Sequence, residues 1–169
     1  MDNHKEKAKS YFLQGYNCAQ AVLLAYQEDL GLDQETAARL ACSFGGGMGR
    51  LREVCGCFSG VLLAAGMLYG YSDPKDLAGK KAQYERVQAL ARTFREHNGS
   101  IICRELLGLD HKSDPPTPAG RTSEYYKKRP CAELAGDAAQ ILEDFIAANP
   151  PCRENGHRTA PHHQQEDLP

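Results

Sequence analysis

Apolar and polar positions recur with a helical period along almost the whole chain, and no run of alternating Val, Ile or Thr marks a strand. A first helix is predicted over about Lys5 to Leu13, broken at Gly15. Asn17 then reads as an N-cap with Gln20 three residues on in capping-box position, opening a helix over Cys18 to Leu30 that stops at Gly31. Asp33 caps a third, Gln34 to about Phe44. The stretch from Arg52 or Val54 to Tyr69 is apolar nearly all round, which places it centrally. Within it Gly56, Gly60 and Ala64 form a small-residue stripe that lets another backbone approach closely. Asp73 and Pro74 open an amphipathic helix to His97 whose stripe is Leu77, Tyr84, Val87, Ala91 and Phe94. Ser100 caps a short helix to Leu107, and a last helix covers about Pro130 to Ala148. The expected fold is therefore all-α, a single-domain bundle of about six helices around a central apolar helix.

Two segments break this pattern. Gly45, Gly46, Gly47 and Gly49 fall within five residues, and each glycine costs about 1 kcal/mol against Ala inside a helix, so the segment is not an ordinary helix interior. Residues 108–129 form a long polar stretch with Pro115, Pro116 and Pro118, either a lid over a site or a slack connector. The domain is expected to span 1–149, followed by a disordered polar tail over 150–169.

Composition narrows the function. The 169 residues suffice for a hydrophobic core without disulfide staples, and the net charge of −2 gives no electrostatic reason to expect nucleic acid or an anionic membrane. The longest apolar run, 61–69, is too short to span a bilayer, and the polar N-terminus does not read as a secretory signal. A cytoplasmic protein is expected, and there an odd count of seven cysteines argues against a disulfide framework.

Cysteine is the chemistry that remains. Cys18, Cys103 and Cys131 open predicted helices, and Cys55 stands beside the glycine segment. A thiol in the first turn of a helix feels the positive end of the dipole, which favours thiolate. Against this stands the ordinary behaviour of free cysteine as a small buried hydrophobe. On a helix, Cys55 and Cys57 would point about 200° apart, so both serve one site only if the segment is not yet helical there. Arg50, Arg52 and Glu53 precede Cys55, and an arginine near a thiol would hold it as thiolate, Arg50 being the candidate. The glycine segment fits neither the dinucleotide fingerprint nor the P-loop, leaving an anion- or thiolate-binding nest of N–H groups, or close helix packing. His97 reads as a helix C-terminal cation or a base, and His157, His162 and His163 sit in the tail.

Taken in order, Gly15-Tyr16-Asn17-Cys18-Ala19-Gln20-Ala21-Val22, Phe44 to Arg50, Glu53-Val54-Cys55-Gly56-Cys57-Phe58-Ser59-Gly60, Cys103 and Cys131 resemble the C-GCAxxG-C-C family of redox-active proteins. The resemblance covers about Cys18 to Phe145. It implies a small helical redox protein whose functional cysteines are Cys18, Cys55, Cys103 and Cys131. It leaves the roles of Cys42, Cys57 and Cys152 open.

Three functions stay open at this point. In a thiol-dependent oxidoreductase, Cys55 attacks and Cys18, Cys103 or Cys131 resolves, with Arg50 favouring the thiolate. In a cofactor protein, the same four cysteines ligate an iron–sulfur cluster or another metal, with Gly45, Gly46, Gly47 and Gly49 making room for it. In a helical interaction module, the cysteines are structural. The partner expected is an electron-transfer or thiol redox partner, with no nucleic acid and no membrane; a homo-oligomer is compatible with the chain.

Overall fold

A computed structural model describes residues 3–151. The chain folds as a single all-α domain: α1 (His4–Leu13), α2 (Cys18–Ala25), α3 (Gln34–Ala41), a 3-10 turn (Cys42–Phe44), α4 (Gly45–Met48), α5 (Gly56–Tyr69), α6 (Leu77–Asn98), α7 (Cys103–Leu106), α8 (Ser123–Lys128) and α9 (Cys131–Ala148). Among the described residues there is no strand and only one β-bridge, Val54 with Ile102. No helix among them is long and apolar enough to cross a membrane. Cys152 and the tail histidines, with nearly all of the expected polar tail, lie outside the described residues.

The helix starts follow their caps. The Asn17 side chain accepts from Gln20 N at 3.0 Å while Gln20 Oε1 accepts from Asn17 N at 3.0 Å, the reciprocal box expected from sequence. Asp33 accepts from Thr36 N at 2.9 Å to open α3. Helix α6 begins later than expected. Asp73 closes a turn onto Lys75 N, and Asp76 is the cap, accepting from Gly79 N at 2.8 Å. Its buried face agrees with the expected stripe at Ala91 and Phe94, joined by Gln83 and Leu90, whereas Leu77 and Tyr84 are 71% and 57% exposed. The expected loop over 108–129 contains α8, capped by Thr122.

Helix α2 packs between α1 and α5, and α9 closes over α1 and α2. Seven of the eight residues of α2 are buried, against eight of the fourteen in α5, so the centre of the bundle is shared between the two. Small residues set their spacing. A Cβ on Gly60 would lie 2.8 Å from both Ala19 O and Val22 Cβ, so only glycine allows this approach of α5 to α2. Tyr26 ties α2 to α9 by donating to Ala139 O at 2.7 Å. Lys5 and Lys9 of α1 reach Asp137 and Glu133 of α9. These contacts bring the N-terminal ends of α2, α5, α7 and α9 to one place, and each of those ends carries a cysteine.

Candidate functional site

The glycine segment is built from left-handed backbone. Gly46, Gly47, Met48, Gly49, Arg50 and Arg52 all have φ between 59° and 72°. Three of these are not glycine, and each such residue stores about 1–3 kcal/mol of strain that its surroundings must offset. The offset is visible in hydrogen bonds: Gly49 N to Gly45 O at 2.9 Å, Glu53 N to Gly47 O at 3.1 Å and Arg52 N to Gly46 O at 3.3 Å. The chain then runs extended against residues 101–104, with Cys55 N bonded to Ile101 O at 2.7 Å and Cys103 N to Glu53 O at 2.6 Å. This pairing clips Cys55 and Cys103 into one neighbourhood. A Cβ on Gly47 would lie 2.6 Å from Cys103 Cβ, so the glycine is what lets α7 close against the turn.

Cys18, Cys55, Cys57, Cys103 and Cys131 all line one cavity of about 50 Å³, together with Gly46, Arg52, Arg121, Tyr125 and Arg129. The four cysteines singled out from sequence are thus brought together, and Cys57 joins them. It does so because Cys55 precedes the helix, with φ −54° and ψ 129°, and α5 begins only at Gly56. The helical 200° separation therefore never applies to this pair. Gly56 faces Cys18 Sγ directly, where a side chain would overlap the thiol. Cys42 is exposed, outside the cavity. All six described cysteines are free.

The thiols do not share one protonation behaviour. Cys18 is lowered to about 6, first by the Cys57 thiol, which donates to it, and then by the backbone N–H groups of Gly46, Ala19 and Cys18; burial opposes them. Cys57 is raised well above the usual thiol range because it is the donor to Cys18, lies against Cys55 and is fully buried. Burial pushes Cys131 up to about 12, reinforced by the neighbouring Cys18, Cys55 and Cys103. Burial also raises Cys103, and the Arg52 guanidinium works against that rise.

The cation at a thiol is Arg52 instead of the expected Arg50. Arg52 is 2% exposed, and its Nη1 lies 3.7 Å from Cys103 Sγ while its Nε donates to Asp114 at 2.6 Å. Arg50 points away, donating from Nε to Pro115 O at 2.7 Å. Among the glycines proposed to make room for a cofactor, Gly46 lines the cavity, Gly47 backs Cys103 and Gly45 packs on Asn17, while Gly49 lies near Ser43.

Residues 108–129 supply Arg121, Tyr125 and Arg129 to the wall. Asp114 anchors the segment on Arg52 and on His111 Nε2, and Arg121 donates to Tyr16 O at 3.1 Å. Arg121 stacks 4.5 Å from the Phe12 ring centroid and 4.9 Å from that of Tyr125, and Arg129 sits 4.9 Å from Tyr125 on the same ring. Nothing in the spacing of Asp114, Arg121 and Arg129 marks them in a polar stretch with other charges; only their contacts do. Among the described residues, no group of three or more His, Cys, Asp or Glu side chains is gathered as a metal site.

Comparison with curated proteins and with solved structures gave no match. A family profile described as "Putative redox-active protein (C_GCAxxG_C_C)" matches residues 16–145, a span that contains all five cavity cysteines, and the chain belongs to that family.

Proposed function

We propose that the cavity is a two-electron thiol redox centre in which Cys18 is the attacking thiolate and Cys57 its resolving partner. The observation that carries this reading is that both thiols line one cavity, where Cys18 is lowered to about 6 and Cys57 is raised. That arrangement favours one thiolate and one thiol at neutral pH on the wall of one cavity. Cys18 would attack a sulfur of an oxidant that contains a sulfur–sulfur bond. That bond breaks, and the outer part leaves with the electron pair. Cys57 then attacks Cys18 Sγ in the mixed species; its proton goes to the second leaving group, and a Cys18–Cys57 disulfide forms. Two electrons pass from the pair to the oxidant. A separate electron or thiol donor would return it to the dithiol, in a reducing compartment such as the cytoplasm.

A second reading draws on the donor set. Several thiols line one cavity with three arginines, and soft thiolates suit iron–sulfur chemistry. Cys18, Cys55, Cys103 and Cys131 would be the ligands, and a cluster would supply one-electron transfer. The dithiol reading is preferred because Cys18 and Cys57, on one cavity, differ in protonation in the sense that thiol exchange uses.

The test is anaerobic purification, then a visible spectrum with iron, zinc and free-thiol counts on one sample. The dithiol reading expects a colourless, metal-free protein that loses two thiols on mild oxidation, with Cys18–Cys57 as the mapped pair. Stoichiometric iron with thiolate-to-iron absorbance would replace it by the cluster reading. Oxidation that spares Cys18 would overturn the assignment of the pair.

A further inference from the structure

Two cations at the cavity, Arg52 buried and Arg121 half-buried, are incompletely used. Arg52 and Arg121 both line it, and in each guanidinium one buried nitrogen, Nη2 of Arg52 and Nη1 of Arg121, has no hydrogen-bond partner. A buried charged donor left unpaired keeps its full desolvation cost, so a ligand that meets it is favoured. Arg52 shares its charge with Asp114, whereas among the described residues Arg121 makes no ion pair with a carboxylate. The complementary ligand is an anion with several acceptor oxygens.

Size and reactivity narrow it further. A water needs about 10–15 Å³ measured in this way, so about 50 Å³ admits a small oxyanion and not a peptide disulfide. Cys18 is 8% exposed and Cys57 fully buried, which also excludes a folded protein as the direct oxidant in this conformation. Phosphate and sulfate offer a thiolate no sulfur–sulfur bond. We propose that the cavity binds a small inorganic sulfur oxyanion of the thiosulfate type, held by Arg52 and Arg121 beside Cys18, as the substrate of the thiol pair.

This inference rests on the dithiol reading for its chemistry, but not for its binding step. The Cys18 thiolate attacks the outer, sulfane sulfur of thiosulfate. The sulfur–sulfur bond breaks and sulfite leaves with its electron pair, so Cys18 carries a persulfide. Cys57 attacks Cys18 Sγ, hydrosulfide leaves with the Cys57 proton, and the disulfide remains. One thiosulfate is thereby reduced by two electrons to one sulfite and one hydrosulfide.

The experiment uses the reduced full chain under anaerobic conditions. Calorimetry measures binding of thiosulfate and of sulfate, an unreactive analogue; sulfite, sulfide and free thiols are then counted after thiosulfate is added. Both anions should bind, and thiosulfate alone should release one sulfite and one sulfide with loss of two thiols. Arg121→Gln should weaken both anions about tenfold or more, with partial recovery in Arg121→Lys. Cys18→Ser should bind thiosulfate and release nothing. Arg121 is the primary probe because Arg52 is locked into the fold by Asp114; Arg52→Lys, checked for folding by circular dichroism, is the second. Absence of binding by either anion, or affinity unchanged in Arg121→Gln, overturns the proposal. Diamide, a small neutral oxidant, separates the two readings. If diamide forms the Cys18–Cys57 disulfide while thiosulfate neither binds nor reacts, the anion proposal falls and the dithiol reading stands. If neither oxidant removes two thiols, the dithiol reading falls with the substrate assignment, whatever the calorimetry gives.

Discussion

Cys18 and Cys131 occupy the same local position, the first residue of a helix, and titrate in opposite directions. Cys18 falls to about 6 and Cys131 rises to about 12. The helix dipole is common to both and so cannot account for the difference. What differs is the supply of donors. The Cys57 thiol and three backbone N–H groups reach Cys18, one of them contributed by the left-handed Gly46. Cys131 follows Pro130, which has no side-chain cap to offer, and burial beside other thiols dominates there. A helix N-terminus thus favours thiolate only where its N–H groups meet the sulfur; where burial outweighs them, the thiol stays protonated.

The largest test of this contrast is Cys18→Ser. It should abolish the two-thiol oxidation outright, whereas Cys131→Ser should leave it intact; counting thiols before and after mild oxidation decides. The same pair separates in pH. Iodoacetamide should modify Cys18 with a midpoint near 6, and Cys131 only in strong alkali.

Stability carries a matching signature. Because the folded pKa of Cys18 lies below the unfolded one, near 9, its stabilisation is complete above about pH 9 and is lost as pH falls through about 6. Because that of Cys131 is raised, its contribution is complete below about pH 9 and is lost as pH rises toward about 12. Chemical denaturation of the native chain should therefore show a rise in stability between about pH 6 and 9 that Cys18→Ser lacks. If the rise persists, the Cys18 thiolate is not its source.

Next in size is Gly56→Ala. A methyl group there would overlap Cys18 Sγ and lie 2.8 Å from Phe44 O, so either the thiol or α5 must shift. Overpacking of this kind costs about 1–3 kcal/mol and should move the Cys18 midpoint upward as the Cys57 contact loosens. A stable variant with an unchanged midpoint would mean that the close approach does not tune the thiol.

Asn17→Ala removes the cap and a bond to Cys42 O, for a loss of about 1 kcal/mol by urea denaturation. The Cys18 midpoint should barely move, since its donors belong to Cys57, Gly46, Ala19 and Cys18 itself. The smallest effect expected is that of Arg50→Ala on thiol reactivity. Its guanidinium serves Pro115 and not a cysteine, so alkylation of all cavity thiols should be unchanged within error.

Much of this was legible in the chain. Asn17 and Gln20 specify their helix start by local hydrogen bonds, and Gly56 and Gly60 announce close packing because nothing else fits between backbones. The family motif names four of the five cavity cysteines. The start of α6 is ambiguous in sequence because Asp73 and Asp76 both have capping side chains, and only the chain's path selects Asp76. The helical period alone points Leu77 and Tyr84 inward with Ala91 and Phe94, but both stay exposed, because period fixes a stripe and not which part of it finds a neighbour.

The order of caps, glycines and cysteines is local chemistry, and local chemistry is written in sequence. Which thiol ionises is not, because it depends on donors and desolvation supplied from far along the chain. Gly46 reaches Cys18 from 28 residues away, Arg52 reaches Cys103 from 51, and Arg121 reaches the cavity from the far side of a polar stretch. Cys57 faces the same cavity as Cys55 because α5 begins one residue after Cys55, a boundary set by the pairing of Cys55 with Ile101. Electrostatics in a buried site is a sum over neighbours, and only the folded chain chooses the neighbours.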